Sequence, residues 1–253
     1  MTGIEWTALD YVWLAAFAVA VGIAIGATGI GGVVLAPYLI SVAGFPVIVA
    51  IATSIAAFIV VGLAGTVIYT RQGAMDWRMA GWLSLGAAPG AWAGSVAVAA
   101  IRPEIVATGI AVLMVVTGLN SFRKSAPLFR EWQPGAAAFT LIGLIVGVVS
   151  GLSGTGGPVT MVPLLVAIGQ PALAIVAVSQ IIQIPISGSA IVAHLSEGRI
   201  IWPVTVILAV AMAVGLRLGA ALITGRDPSV LRLILAGSLV VAGSFLLVRQ
   251  LMF

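Results

Sequence analysis

Two stretches of the chain combine free backbone with small hydroxyls at a spacing suited to holding a charged guest. They are Gly26-Ala27-Thr28-Gly29-Ile30-Gly31-Gly32 and Gly151-Leu152-Ser153-Gly154-Thr155-Gly156-Gly157, 125 positions apart. Glycine inside a helix costs about 1 kcal/mol relative to alanine, so four glycines in seven residues predict a break rather than a helix interior. A helix that restarts at Gly31 or Gly156 directs unpaired N–H groups and the positive end of its dipole at an anion, and Thr28, Ser153 and Thr155 add hydroxyl donors. An oxyanion is the guest this chemistry fits, with Gly29, Gly32, Gly154 and Gly157 completing the two candidate turns. Close helix packing is the competing account of isolated membrane glycines; the density here favours a break that forms a site. Neither copy is a nucleotide loop, because neither reads G-x-G-x-x-G between strand and helix or ends in Gly-Lys-Ser/Thr.

The elements that must position these turns lie in a membrane. Hydrophobic residues make up 62% of the chain and charged residues 7%, with a mean hydropathy of +1.26, which excludes a water-soluble domain. Spans of about 20 apolar residues are predicted near 46–69, 78–100, 104–122, 171–195, 200–223 and 228–250, leaving two longer apolar regions, 11–44 and 135–169. The net charge of +4 is scattered at span ends, so no basic stripe exists for nucleic acid. Cysteine is absent, which removes disulfides and thiolate sites. The first residues lack the basic region of a cleavable signal, so the first apolar segment is expected to remain a membrane element.

Shifted by 125 positions, Gly22, Gly26, Gly29, Gly31 and Gly32 fall on Gly147, Gly151, Gly154, Gly156 and Gly157; Gly44-x-Pro46 falls on Gly169-x-Pro171, Ser54 on Ser179 and Trp77 on Trp202. The chain reads as a duplicated half: 1–122, a polar linker 123–134, and 135–253. The 34 residues of 11–44 would make a helix of about 50 Å against a hydrocarbon core of about 30 Å. A helix 11–27, a turn at the glycines and a shorter returning segment 33–44 fits better. That gives five segments per half, and an odd number inverts the second half. The fold expected is therefore an all-α polytopic membrane protein of two inverted repeats, each with a Gly-rich broken helix or re-entrant hairpin. On this reading Arg71, Arg78, Arg123, Lys124, Arg130 and Arg226 share the cytoplasmic face. Eight full spans give an equally good charge bias, and it is length that favours inversion.

Few polar residues lie inside the other spans. Ser54 and Ser179 occupy equivalent positions, and either bonds its own helix carbonyls or joins the site. Gln180 and Gln183 share a helix face among isoleucines and need partners, either on other helices or in a substrate. Arg217 is the basic residue deepest in a span; it either snorkels or supplies a counter-charge. His194, the only histidine, is expected to anchor at the interface, with a proton relay as the lesser reading. No acid lies in mid-span, so a carboxylate pathway for protons or cations has no candidate. No metal site, cofactor or catalytic constellation is expected, and the chain is not read as an enzyme.

The repeated Gly-x-x-Gly-x-Gly-Gly, followed by Pro37-Tyr38-Leu39 and Pro163-Leu164, resembles the sulfite exporter TauE/SafE family, also called the toluene-sulfonate uptake permeases. The resemblance spans 11–250 and implies a bacterial inner-membrane, multi-pass secondary transporter for small sulfur-containing anions such as sulfite, sulfoacetate or isethionate. The residues themselves support a small anion, and an anion channel or uniporter is the alternative. The partners implied are that anion and the lipid bilayer, with no nucleic acid; a homodimer is compatible. The prolines do not align between copies, Pro37 matching Val162 and Pro163 matching Tyr38, so the two turns need not be equivalent.

Overall fold

The computed structural model describes residues 7–122 and 134–223, with positions 237, 240, 241, 243, 244, 247 and 248 beyond them. The predicted linker 123–134, apart from Pro134, and most of the predicted span 228–250 lie outside the described residues. The described positions within 228–250 are all helical, and Gly243 packs against Ala111 and Val115.

Helix α1 (Ala8–Thr28) starts from a capping box: the Asp10 carboxylate accepts the Thr7 N–H at 2.8 Å and the Thr7 hydroxyl caps the Asp10 amide. It ends at Gly29, whose φ of 73° is the left-handed cap glycine favours. After Gly31 a single 3-10 turn (Gly32–Val34) leads into α2 (Leu35–Ser41). Gly31 lies against Ala24 and Ile25, and the Tyr38 ring stacks on Phe17 with centroids 4.0 Å apart. The chain thus folds back along α1, as the length of 11–44 demanded. The second copy does the same with α6 (Ala136–Ser153), a cap at Gly154 (φ 71°) and α7 (Pro158–Ala167).

The remaining predicted spans appear as α3 (Val47–Arg71), α4 (Trp77–Ala97), α5 (Pro103–Phe122), the pair α8 (Ala172–Ile181) and α9 (Gln183–Leu195), and α10 (Trp202–Ile223). The predicted span 171–195 is interrupted at Ile182. Pro185 accounts for this, since it has no N–H to close on the Ile181 carbonyl. The described residues contain no strand, and six stretches are long and apolar enough to cross a membrane: Ala8–Thr28, Val47–Arg71, Trp77–Ala100, Ala136–Ser153, Leu173–Leu195 and Trp202–Leu222.

The two tightest helix pairs are α1 with α10 and α4 with α6. Glycines bring their backbones together. A Cβ on Gly22 or Gly26 would overlap the carbonyl of Met212 or Leu216, and one on Gly147 or Gly151 would meet that of Ala87 or Ala91. From the other side, Gly215 and Gly219 face Val19 and Ile23, whereas Gly90 and Gly94 face Leu144 and Val148. Every one of these contacts in one pair reappears in the other at the 125-position offset with the halves exchanged. In each pair the numbering rises together, so the helices run parallel.

Between the pairs lie α3 and α8–α9. Gly62 meets Gln180, Gln183 and Ile184, and Gly65 meets Gln180, while Ala52 and Ala56 cluster with Ile191. The two therefore cross in opposite directions. Outward faces carry exposed Val12, Trp13, Leu85, Trp92, Val210, Val214 and Leu218, a surface suited to lipid. Trp77 and Trp202 begin equivalent helices and are exposed at their ends, as interfacial anchors are.

The backbone contacts make Gly147→Leu a severe change, because the neighbour is the Ala87 carbonyl and not a flexible side chain. Overpacking of this kind costs about 1–3 kcal/mol or more, and the thermal unfolding midpoint in detergent is expected to drop by about 5 °C or more. Gly81→Ala, where a Cβ meets nothing within 4 Å, is expected to raise the same midpoint slightly.

Candidate functional site

The two glycine turns meet. Gly32 lies against the Thr155 carbonyl, and the ring of Phe58 from α3 touches both Gly32 and Gly156. Each turn also rests on the long central helix of the other half: Gly154 on Ile51 and Ser54, Gly29 on Val176 and Ser179. These two contacts correspond at the same 125-position offset. The candidate glycines Gly29, Gly31, Gly32, Gly154, Gly156 and Gly157 are all buried.

Hydrogen bonds within the turns leave several donors over. In the first, the Gly29 N–H closes on Ile25, the Ile30 N–H on the Thr28 hydroxyl (3.2 Å), and the Val34 N–H on Gly31. In the second, the Gly154 N–H closes on Ser150, and Gly157 receives Thr160 and Met161. The N–H groups of Gly31, Gly32, Gly156 and Gly157 have no partner among the described residues. A buried donor left unpaired costs about 1–3 kcal/mol, and Gly32 and Gly156, which share the Phe58 ring where the turns meet, offer donors suited to a negative charge.

The hydroxyls are engaged locally. Thr28 Oγ1 lies 2.9 Å from the carbonyls of both Ala24 and Ile30. Ser153 Oγ donates to the Val149 carbonyl at 2.7 Å and lies 3.0 Å from Thr155 Oγ1. Since the Ser153 proton is directed to Val149, the Thr155 hydroxyl is the donor within that pair, and it can redirect its proton to a guest by rotation about its Cβ–Oγ1 bond. Ser54 Oγ is 3.0 Å from the Ile51 carbonyl and 3.2 Å from that of Gly154, so it ties the second turn to α3. Ser179 Oγ donates to Ile175 at 2.7 Å, which is the local bonding weighed for both serines.

Gln180 and Gln183 find partners in protein. The Gln183 amide donates to the Ser179 carbonyl at 3.0 Å and to Gln180 Oε1 at 3.1 Å, and both side chains fit the notch that Gly62 and Gly65 leave in α3. Both are buried. Arg217 does not join them. It is exposed on α10 next to exposed Val214 and Leu218, whereas the packed face of that helix carries Gly215 and Gly219. The counter-charge reading therefore gives way to an outward-facing guanidinium, which suits snorkelling. His194, expected at the interface, is instead fully buried.

The turns are not copies in detail. Gly156 and Gly157 both have positive φ, 76° and 111°, while Gly31 is extended at −177°. Pro158 starts α7 directly after the second turn; a 3-10 turn intervenes in the first. Opposite Phe58, at the equivalent position, stands Gln183. Sequence reasoning missed Phe58, although pairing it with Gln183 at the repeat offset pointed to it. Tyr69 was missed as well; its hydroxyl donates to the Gly26 carbonyl at 2.6 Å and pins the end of α1.

A Cβ at Gly156 would come 2.8 Å from the Phe58 ring on a backbone that L-residues disfavour. Gly156→Ala is expected to lower the unfolding midpoint, and adding Phe58→Leu to recover part of the loss. A double-mutant cycle should show coupling of at least about 0.5 kcal/mol; strict additivity would contradict the contact.

The sequence model of the family described as sulfite exporter TauE/SafE matches residues 14–246. No curated protein and no solved structure matches the chain. The match covers both hairpins, both parallel pairs and the central helices that hold the two turns together, and with it the chain belongs to the TauE/SafE sulfite exporter family of membrane transporters.

Proposed function

We propose that this protein is a secondary transporter that moves a small sulfur-containing anion, sulfite or an organosulfonate such as sulfoacetate or isethionate, across a bacterial inner membrane by alternating access. The observation that carries the reading is the pair of turns in contact, with the unpaired N–H groups of Gly31, Gly32, Gly156 and Gly157 around them. A sulfonate or sulfite group presents three oxygens to these donors, and Thr155 and Thr28 add hydroxyls. Phe58 offers an apolar wall to an organic tail, and Gln180 and Gln183 border the same place. Burial strengthens each charge-assisted hydrogen bond by excluding water.

Alternating access is supported by the exchanged contacts and by the opposite directions of α3 and α8–α9, which together make two inverted repeats the natural description. Transporters built this way bind at the repeat interface, where helices are broken. The Phe58 ring packed between the turns favours a carrier over a continuously open pore.

Uptake of labelled sulfite and isethionate into proteoliposomes tests the assignment. Thr155→Val keeps the side-chain shape and removes one donor, so half-saturation should rise about 5- to 10-fold, corresponding to the roughly 1–1.4 kcal/mol of a hydrogen bond. Arg217→Gln should leave uptake within twofold. An unaffected Thr155→Val, or flux that fails to saturate, would reject the site or replace the carrier with a channel.

A further inference from the structure

An anion held in an apolar interior needs a compensating charge nearby, and the described arginines do not supply one. Arg71, Arg78, Arg102 and Arg217 are exposed, and Arg199 is paired to Glu197 at 3.2 Å. One buried side chain among the described residues can gain positive charge. His194, the only histidine in the chain, has no exposed surface, and neither ring nitrogen has a hydrogen-bond partner among the described residues. Buried polar groups are nearly always paired, so an imidazole with both nitrogens idle is a group held ready for a partner that arrives.

The helix that carries it reaches the second turn, where Ile186 meets Gly157. Gln183, Ser187 and His194 follow one another at helical spacing on one buried face of α9. The Ser187 hydroxyl is buried and unpartnered like the imidazole, as are those of Ser150 on α6 and Ser95 on α4. At the offset of 125 positions His194 corresponds to Tyr69, whose hydroxyl reaches the Gly26 carbonyl just before the first turn; the equivalent carbonyl for His194 is that of Gly151. Of the other titratable groups nearby, Arg199 is the one that opposes a positive charge on the imidazole, and its own charge is answered by Glu197. Helix α9 packs on α3, α4, α6 and α8. Of these, α3 brings Tyr69, already committed to Gly26, and exposed Arg71. Helix α4 brings exposed Arg78, with exposed Asp76 engaged as its N-terminal cap, and α6 and α8 carry no titratable side chain. Beyond α9 itself, Arg199 follows with its partner Glu197.

We infer that His194 is a proton-binding site coupled to the anion site, so that the carrier moves its anion together with a proton; this rests on the transport reading above. The proton comes from water on one side, bonds to the lone pair of the unprotonated ring nitrogen, and leaves to water on the other side, with no other bond made or broken. An anion at the turns favours the imidazolium, and the imidazolium favours the anion by the same factor. A proton carried with a monoanion removes the net charge that would otherwise cross the membrane potential.

A chain with one histidine permits a direct test. Protein purified through a tag without histidine and labelled with 15N in the imidazole gives a single ring to follow by NMR. At fixed pH, sulfite or isethionate is expected to raise the protonated fraction at least threefold. In proteoliposomes loaded with a pH-sensitive dye, an isethionate gradient should carry protons with the anion, and His194→Gln should cut protons moved per anion to below a tenth. Anion transport by the unaltered protein with an unchanged imidazole signal, or His194→Gln moving protons at the unaltered ratio, would overturn the coupling and leave the transport reading intact. Failure of the unaltered protein to move either anion would overturn the transport reading and the coupling with it. The NMR measurement decides the matter even if His194→Gln does not fold.

Discussion

In a hydrocarbon layer every backbone N–H and C=O must find its partner inside the protein, so a helix can be broken there only where other protein surrounds the break. The whole arrangement follows from that constraint. Each glycine turn interrupts an apolar run and is covered by the central helix of the opposite half: Ser54 donates to the Gly154 carbonyl, and Gly29 is covered by Val176 and Ser179. The Gly154 carbonyl is thereby answered by the opposite half, whereas the amides at Gly31, Gly32, Gly156 and Gly157 have no partner among the described residues. The breaks are thus buried within protein, with backbone amides left over that a negative charge could use.

Much of the fold was legible because it depends on backbone requirements that composition reveals. The 34 residues of 11–44 could not be one span, and the returning α2 is the result. Glycines at the repeat offset marked the turns and the parallel pairs alike, since a Cβ in either place meets something immovable. What remained hidden depended on helix phase and on cross-chain neighbours. Arg217 looked central by its distance from the span ends, yet it lies away from the face that Gly215 and Gly219 define, and that packed face becomes visible only when the partner helix is known. His194 looked interfacial because α9 ends one residue later. Its burial comes from packing against helices distant in sequence.

The halves share a scaffold without sharing an interior. Phe58 and Gln183 occupy corresponding positions on the central helices, one apolar and one an amide. The interruption at Ile182, beside Pro185, is absent from the continuous α3. The first half therefore offers an aromatic wall and the second an interrupted helix lined with amides, serine and an imidazole. A guest with a charged head and an apolar tail can be oriented by such a difference, which two identical halves would not provide.

The parallel pairs have a mechanical consequence. Helix α1 is gripped along its length by α10, and α6 by α4, through backbone contacts too close to slide without separating. The units able to move as rigid bodies are consequently not the two stretches of sequence but two composites, each assembled from both. Under the proposed alternating access, opening of the turns becomes a shear of those composites across α3 and α8–α9, with the covalent chain crossing repeatedly from one body to the other.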